Sequence, residues 1–311
     1  MKKTGKRLLA AMLLFCTILI GAAGYEVMAA DEAQSTESTS GTVNSADDLP
    51  GKRIGVQLGT TGDIYVSDYE SDGSGTVVER YNKGADAIQA LKQGKIDCVV
   101  IDEQPAIKFV EQNTGIRILD EEFTLEDYAF VVAKSNTELL DKVNSALEKL
   151  EADGTIANIQ KNYIGTADEI GKFPYESKDV SHENGTLTVG TNAEFPPYES
   201  YEDGQIVGID MDIMRAVSDE LGMELKIEDM AFDSIIPAIS TGKVDIGAAG
   251  FTVTEERKKN VNFTDTYTTS KQVIIVKDDT VTSEKAGLSE KFYDNFVKDS
   301  RYVYLLSLIH I

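Results

Sequence analysis

Two short stretches of similar sequence determine the fold: Ala90-Leu-Lys-Gln-Gly94-Lys-Ile-Asp97-Cys-Val-Val and Ala238-Ile-Ser-Thr-Gly242-Lys-Val-Asp245-Ile-Gly-Ala. In each copy a helical segment ends at a glycine suited to the left-handed position that follows a helix. A lysine and an aspartate then lead into an apolar strand. This internal repeat predicts two lobes of similar build, although the same helix-to-strand turn also recurs in α/β proteins without a duplication.

Strands and helices alternate around both stretches. In the first half, the pattern predicts strands at 53–58, 76–80 and 96–101, helices at 85–92 and 104–112, strands near Ile116 and Ala129, and two closing helices within 137–163. In the second half, it predicts strands at 186–191, 224–228, 244–248 and 272–276, and helices at 212–221, at 234–240 and from Thr254. Such alternation predicts an α/β fold with largely parallel sheets.

The composition disfavours several classes of function. A formal net charge of -23 argues against a nucleic-acid partner, because binding phosphates requires a basic face. Cys16 lies in an N-terminal apolar run and only Cys98 follows it, so we expect neither an internal disulfide nor a cysteine metal site. His182 and His310 offer no metal cluster and no pairing of a nucleophile with a base.

The N-terminus has the pattern of an export signal. Basic residues precede an apolar run over 8–24, and small residues near Ala30 suit cleavage. The run is also close to the minimum length of a membrane span. We therefore expect residues 1–30 to be a signal peptide or a retained membrane anchor, followed by a polar linker over 31–48, with the rest of the chain outside the cytoplasm.

The segment 186–278 carries four motifs in a characteristic order. They are Leu187-Thr-Val-Gly-Thr-Asn-Ala-Glu-Phe-Pro-Pro-Tyr198, Gly208-Ile-Asp210, Phe232-Asp-Ser-Ile-Ile-Pro237 and Gly250-Phe-Thr-Val-Thr-Glu-Glu-Arg-Lys-Lys-Asn-Val-Asn-Phe-Thr-Asp265. In these motifs the segment resembles the first-lobe half of extracellular solute-binding proteins for polar amino acids. The resemblance implies a two-lobed α/β fold of the periplasmic-binding-protein type 2, with lobes joined by crossover strands.

The segment 49–165 resembles the second-lobe half of the same family, including its closing helices. Its motifs are Leu49-Pro-Gly-Lys-Arg-Ile-Gly-Val-Gln-Leu-Gly-Thr-Thr-Gly62, Tyr81-Asn-Lys-Gly84, Val99-Val-Ile-Asp102 and Asp153-Gly-Thr-Ile156. The family normally has the two halves in the opposite order. We interpret the order here as a circular permutation, joined by a linker over 166–185, with new ends at a crossing between the lobes. Two truncated receptors in tandem are the alternative.

The C-terminal segment 279–311 includes Gly287-Leu-Ser-Glu-Lys-Phe-Tyr-Asp-Asn-Phe-Val-Lys-Asp-Ser-Arg-Tyr302, which looks like the juxtamembrane lead-in of permeases fused to such receptors. The final Ser307-Leu-Ile-His-Ile311 looks like foreign read-through. This resemblance implies that the chain is the N-terminal part of a membrane-associated receptor-permease fusion.

An amino-acid receptor needs a bidentate cation and further donors for the carboxylate of its ligand. The resemblance gives the cationic role to Arg257, whereas the sequence alone also fits a solvated helix end over 255–259. By the same resemblance, Thr252 adds a hydroxyl and a backbone N–H, and the carbonyl of Gly250 accepts a hydrogen bond from the ligand's ammonium.

The other lobe is expected to complete the site. Asp102, at the end of an apolar strand, is expected to hold the ammonium, although it is also suited to cap the next helix. Thr60 and Thr61 open a helix whose free N–H groups favour an anion. Gln57, just before them, is suited to contact a polar side chain of the ligand.

Three more residues belong to the predicted ligand set. Phe195 and Phe232 are expected to sandwich the aliphatic part of the ligand, unless they are ordinary core aromatics. Asn192 stands where several members of the family carry an acidic residue, so its contact would be neutral. Together with Gln57, it favours an amino acid with an uncharged polar side chain.

These features predict a receptor and not an enzyme. We expect extracytoplasmic binding of a polar amino acid, delivery to an ABC permease that an ATPase drives, and no cofactor or metal. A ligand that contacts both lobes would close the hinge between them. Two alternatives share the fold: a ligand-sensing ectodomain of a signalling receptor, and a dehydratase that acts on a cyclohexadienyl acid.

Overall fold

The computed structural model describes residues 42–121 and 124–278, which form two large β-sheets, a small hairpin sheet and flanking helices. The predicted export segment 1–30, most of the predicted linker 31–48 and the predicted permease lead-in 279–311 lie outside the described residues. The α-helices of the described part are α1 (Thr61–Ser67), α2 (Gly84–Lys92), α3 (Glu103–Gln112), α4 (Thr137–Ala152), α5 (Thr155–Ile164), α6 (Ile209–Leu221), α7 (Phe232–Ser240) and α8 (Glu255–Lys258).

The first large sheet comes mainly from the N-terminal half of the chain. Its strand order is β2 (Val77–Tyr81), β1 (Arg53–Gln57), β3 (Cys98–Asp102), β14 (Thr268–Lys277) and β4 (Ile116–Ile118), and β5 (Thr124–Tyr128) also pairs with β14. Strand β1 is parallel to β2 and β3, whereas β14 is antiparallel to β3, β4 and β5. We call this sheet, together with α1, α2 and α3, lobe A.

The second large sheet comes mainly from the C-terminal half. Its strand order is β11 (Glu224–Asp229), β7 (Thr186–Thr191), β12 (Ile246–Gly247), β6 (Val131–Ala133) and β13 (Val261–Phe263). The small hairpin sheet has the order β10 (Gln205–Val207), β9 (Glu199–Glu202) and β8 (Glu194–Phe195). We call these two sheets, together with α4 to α8, lobe B.

Both large sheets follow one plan. Each contains three parallel strands, β2-β1-β3 in lobe A and β11-β7-β12 in lobe B, and then an antiparallel strand from the other half of the chain. That strand is β14 in lobe A and β6 in lobe B. The shared plan agrees with the duplication that the sequence repeat predicts, and the exchanged strands interlock the two halves.

The exchange of strands corrects the predicted division of the chain. Within 49–165, β6 joins the lobe B sheet and helices α4 and α5 pack against α6, while β14 from 186–278 lies in lobe A. The segment 166–185 contains no helix or strand. Val43 packs in the same cluster as Val276, so the ends of the described chain meet within lobe A. Where the permuted ends lie relative to the crossing between the lobes stays a prediction.

Two adjacent segments form the predicted crossover between the lobes. One follows β5 and leads into β6, and the other joins β13 to β14. The Thr264 N–H donates to the carbonyl of Phe130 over 2.9 Å, and the Tyr267 N–H donates to the carbonyl of Tyr128 over 3.0 Å. The rings of Phe130 and Tyr267 stack with centroids 4.4 Å apart. The crossover strands that join the lobes are thus held side by side, which is the arrangement of a hinge.

The apolar sequence of β3 is typical of a parallel strand that is buried on both faces. All five positions of β3 are buried, including Cys98. Burial raises the pKa of the Cys98 thiol. The predicted helices and most of the predicted strands are confirmed in type and order, but the strand predicted near Ala129 is two strands, β5 and β6, in different sheets. The hairpin sheet and β13 were not predicted, because strands of two to four residues carry little periodicity.

Candidate functional site

The side chain of Arg257 lies inside the cleft between the lobes. Helix α8 begins after Thr254, whose hydroxyl accepts a hydrogen bond from the Arg257 N–H over 3.1 Å. The guanidinium lies 5.4 Å from the ring centroids of both Phe232 and Phe251, and Arg257 is 6% exposed. This burial excludes the alternative of a solvated helix end for Arg257 itself.

The guanidinium of Arg257 bonds to both lobes. One terminal nitrogen donates to the carbonyl of Thr252 in lobe B over 2.9 Å, and the other donates to the carbonyl of Gly59 in lobe A over 3.0 Å. Burial lowers the pKa of Arg257, and the charge of Glu126 is the strongest influence opposing that shift. A guanidinium stays charged even so, and it provides a fixed cation in the cleft.

Thr252 and Thr61 meet at a carboxylate that the sequence analysis did not select. Their hydroxyls donate to the same oxygen, Oε2 of Glu126, over 2.8 Å and 3.0 Å respectively. Gln272 on β14 donates to this oxygen over 3.2 Å. Glu126 is 3% exposed, and its Oε1 has no hydrogen-bond partner among the described residues.

Asp102 provides a second buried carboxylate in lobe A. It precedes α3, but its side chain makes no capping hydrogen bond to that helix; instead it accepts one from the hydroxyl of Tyr128. Burial, reinforced by the charge of Glu126, raises the pKa of Asp102 to about 7. The carboxyl group is therefore available to a cationic group and titrates near neutrality.

Gly250 occupies the close approach that its motif implies. Its φ of +56° is in the left-handed region, and a Cβ atom there would lie 3.0 Å from Phe195 Cε1 and 3.2 Å from Tyr128 Cε2. The Gly250 N–H donates to Asp210 over 2.9 Å. Both the backbone conformation and the neighbouring rings therefore require glycine.

The two amides of the predicted set contact each other across the cleft. Gln57 in lobe A donates to the side-chain oxygen of Asn192 in lobe B over 2.9 Å, and also to the carbonyl of Asn82 over 3.2 Å. The side-chain nitrogen of Asn192 donates to the carbonyl of Met230 over 2.9 Å. The side-chain nitrogens of both amides thus donate within the protein.

The remaining predicted residues have local partners. Thr60 caps α1: its hydroxyl accepts from the Asp63 N–H over 3.3 Å and donates to the carbonyl of Gln57 over 2.8 Å. Phe195 stacks on Tyr198 with centroids 5.9 Å apart, and Phe232 stacks on Phe251 with centroids 4.8 Å apart. The two phenylalanines therefore lie against different aromatic partners.

The cleft brings predicted residues from both lobes together in a chain of contacts. A groove of about 560 Å³ with walls from both lobes is bordered by Phe109, Tyr163 and Pro197, which are not in the predicted ligand set. Within 42–121 and 124–278, no group of three or more His, Cys, Asp or Glu residues could hold a metal ion. No helix in the same ranges has both the length and the apolar character needed to cross a membrane.

Glu126 and Gln272 are the site residues that sequence reasoning missed. Alternation is the signal that could have found Glu126, since Glu126 and Tyr128 share the buried face of β5 while Leu125 and Asp127 are exposed. A buried acidic residue on a strand is unusual and indicates a specific partner.

A family model matches most of the chain. The family described as bacterial extracellular solute-binding proteins, family 3, matches residues 74–166 and 187–300.

Curated relatives match shorter segments. The arginine-binding protein ArgT of Corynebacterium glutamicum is 44% identical over 84 residues, which are 27% of this chain and 28% of ArgT. The L-cystine-binding protein TcyJ of Escherichia coli K12 is 30% identical over 135 residues, 43% of this chain and 50% of TcyJ. The chain thus spans at most half the length of these two relatives.

Solved structures also match in part. An ancestral arginine-binding protein bound to arginine is 44% identical, covering 25% of this chain and 35% of its own, with a TM-score of 0.24. The arginine-bound form of domain 1 from TmArgBP is 39% identical, covering 32% of this chain and 84% of its own, with a TM-score of 0.27. Scores this low do not establish a shared overall arrangement.

Proposed function

Since the chain belongs to the bacterial extracellular solute-binding proteins, family 3, we propose that it binds a free polar amino acid outside the cytoplasm and delivers it to an ABC importer. One observation carries this proposal: a buried guanidinium and a buried carboxylate lie on opposite lobes of a single cleft. Arg257 belongs to lobe B and Asp102 to lobe A. A free amino acid carries the two complementary charges.

The expected binding mode follows from these charges. The ligand's carboxylate binds the guanidinium of Arg257 and the hydroxyls of Thr252 and Thr61, because charge-assisted hydrogen bonds are the strongest available to it. The ammonium binds Asp102 and the carbonyl of Gly250. Phe195 and Phe232 contact the aliphatic part, Gln57 and Asn192 contact polar atoms of the side chain, and Thr60 fixes the start of α1. Contacts to both lobes then favour the closed state.

Arginine is the first ligand to test. ArgT and the ancestral protein that match this chain are named for arginine. The amides of Gln57 and Asn192 can accept hydrogen bonds from a guanidinium, so they are compatible with this ligand.

We further propose that the partners are an ABC permease, fused at the C-terminus, and its ATPase, and that the chain is membrane-associated. The lobe order is proposed to be a circular permutation. The exchange of β14 and β6 supports this reading, because each half of the chain completes the sheet of the other. Two independent truncated receptors would each lack that strand.

Isothermal titration of the purified chain with each of the twenty amino acids tests the function. We expect micromolar binding of a polar amino acid, weakened at least about 100-fold by Arg257→Lys, because lysine keeps the charge but cannot form the bidentate contact. Lys258→Ala, on the exposed side of the same helix, is the matched control and should bind as the unaltered chain does. A folded chain that binds none of the twenty amino acids contradicts the proposal.

A further inference from the structure

The position expected for the ligand's carboxylate contains a carboxylate of the protein itself. Thr252 and Thr61, two of the hydroxyls assigned to the ligand, both donate to Oε2 of Glu126. One hydroxyl comes from lobe B and the other from lobe A. Glu126 therefore connects the lobes through the same groups that a ligand would use.

We infer that Glu126 is an internal competitor for the ligand's carboxylate: it closes the ligand-free cleft, and the ligand must displace it in order to bind. This inference rests on the proposed amino-acid site. It concerns how tightly that site binds its amino acid. It adds Glu126, as a residue that determines affinity, to the ligand residues that the sequence predicts.

The contacts of Glu126 resemble those of a bound anion. Its Oε2 accepts three hydrogen bonds, from Thr61, Thr252 and Gln272, at 2.8 to 3.2 Å. Such bonds to a carboxylate are stronger than bonds between neutral groups. Oε1 is buried and accepts no hydrogen bond of good geometry among the described residues, although the hydroxyl of Tyr65 also interacts with this carboxylate. An incompletely satisfied buried carboxylate is one that a better-fitting ligand can replace.

The position of Glu126 next to the hinge explains how one residue can act on both lobes. Strand β5 runs directly into the crossing segment that leads to β6. At this point the backbone of 127–129 is paired with that of 251–253, so Glu126 reaches Thr252 of lobe B directly. Other contacts across the cleft act in the same direction, including Gln57 to Asn192 and the exposed ion pair of Lys83 with Glu194.

The cost to the ligand follows from competition. If the unliganded protein mostly holds the self-closed form, the apparent Kd equals the intrinsic Kd divided by the fraction of protein that is open. After displacement, the charge of Glu126 would also repel the ligand's carboxylate. Removing that charge should therefore tighten binding by both routes.

The test compares Glu126→Gln with Asp127→Asn in the full chain. Both substitutions replace one carboxylate with an amide on β5, but Asp127 is exposed and serves as the matched control. We expect Glu126→Gln to bind arginine, or whichever amino acid the titration identifies, about tenfold more tightly, which corresponds to the loss of a charged hydrogen-bonded contact. We expect Asp127→Asn to leave the Kd unchanged.

Small-angle X-ray scattering without ligand gives an independent readout. The unaltered chain and Asp127→Asn should have the same radius of gyration, and Glu126→Gln should have a larger one because its lobes separate. If no amino acid binds the unaltered chain, the proposed function fails, while this comparison still decides whether Glu126 closes the cleft. An unchanged radius together with unchanged or weaker binding would overturn the inference.

Gln272→Met is a second variant that tests the inference if Glu126→Gln does not fold. It removes one donor to Glu126, together with the hydrogen bond that Gln272 donates to Thr61 over 3.2 Å, and it fills a fully buried position with an apolar side chain. We expect tighter amino-acid binding, by about threefold, since one of three hydrogen bonds to the competitor is lost. Unchanged or weaker binding would contradict the inference.

Discussion

The two copies of the sequence repeat have almost the same local structure. Gly94 has a φ of +73° and Gly242 has a φ of +71°. In each copy the aspartate that follows pairs with the neighbouring strand: Asp97 Oδ2 and Asp245 Oδ2 each accept a backbone N–H over 2.8 Å. The repeat therefore builds the same helix-to-strand turn in both lobes.

The chain beyond each turn differs. In lobe A, β3 continues for five residues and ends at the carboxylate of Asp102. In lobe B, β12 has only two residues and gives way to Gly250, Thr252 and, one turn of helix later, Arg257. One scaffold thus ends in an anion and its copy ends in a cation and hydroxyls. The difference shows how a duplicated fold can acquire two complementary ends for a dipolar ligand.

Removing the carboxylate of Asp102, the anion of lobe A, should have the largest effect on amino-acid binding. We expect Asp102→Asn to weaken amino-acid binding by about 100-fold, because a buried ion pair with the ligand's ammonium is lost while the shape is kept. Titration calorimetry measures the change. Glu111→Gln, on the exposed side of α3, is the control and should bind normally. Equal affinities for both variants would show that the lobe A copy does not supply the ammonium site.

A smaller effect is expected from Gly250→Ala in the lobe B copy. The substitution places a Cβ 3.0 Å from Phe195 and 3.2 Å from Tyr128, at a positive φ. We expect the free energy of unfolding to fall by about 2 kcal/mol, from backbone strain and displacement of the rings. Chemical denaturation measures it. A loss of unfolding free energy smaller than that caused by Gly94→Ala or Gly242→Ala would mean that the rings of Phe195 and Tyr128 move aside without cost.

Sequence patterns captured what local chemistry determines. The repeat, the alternation of strands and helices, and the glycine turns all depend on neighbours in the chain, and they are confirmed. Arg257 and Thr252 were predicted from their motif, and both lie in the cleft. Asp102 was predicted from its position at a strand end, which the structure also has.

The missed features depend on contacts between distant segments. Glu126 was overlooked because its partners Thr61 and Thr252 lie 65 and 126 positions away in sequence. The placement of β14 in lobe A could not be read from 186–278 alone, since an apolar strand fits either sheet. The pairing of Gln57 with Asn192 likewise requires both lobes to be in place.

The pH dependence of binding distinguishes the carboxylate of Asp102 in lobe A, which titrates, from the guanidinium of Arg257 in lobe B, which stays charged. The pKa of Asp102 is raised to about 7 in the ligand-free protein, by burial and then by Glu126. An ammonium ligand needs the ionised form, so binding releases a proton below pH 7. We expect affinity to rise about tenfold from pH 5 to pH 6 and to level off above pH 7. Titrations in buffers of different ionisation enthalpy would detect the proton.

The same shift has a defined sign for stability. The folded protein retains a proton on Asp102 that the unfolded chain loses near pH 4, so this group reduces the free energy of unfolding as pH rises from about 4 to 7.

Asp102→Asn should flatten the pH profile of amino-acid binding. Glu126→Gln should move the profile to lower pH, because Glu126 contributes to the raised pKa while the hydrogen bond from Tyr128 opposes it. Profiles that coincide for all three proteins would exclude Asp102 as the titrating group.

The smallest effect tests whether the two turns are equivalent. A Cβ at Gly242 meets nothing within 4 Å, and at Gly94 it meets only Lys277 Nζ at 3.0 Å, the flexible end of a long side chain. The cost of Gly94→Ala and Gly242→Ala therefore comes from positive φ alone, and we expect about 1 kcal/mol of lost stability in each. Amino-acid affinity should not change, because both glycines lie at the end of the sheet away from the ligand residues. Thermal unfolding of the two variants makes the comparison: equal losses follow from one turn used twice, whereas a much larger loss in one lobe would mean that the lobes depend on their turns to different degrees despite the shared geometry.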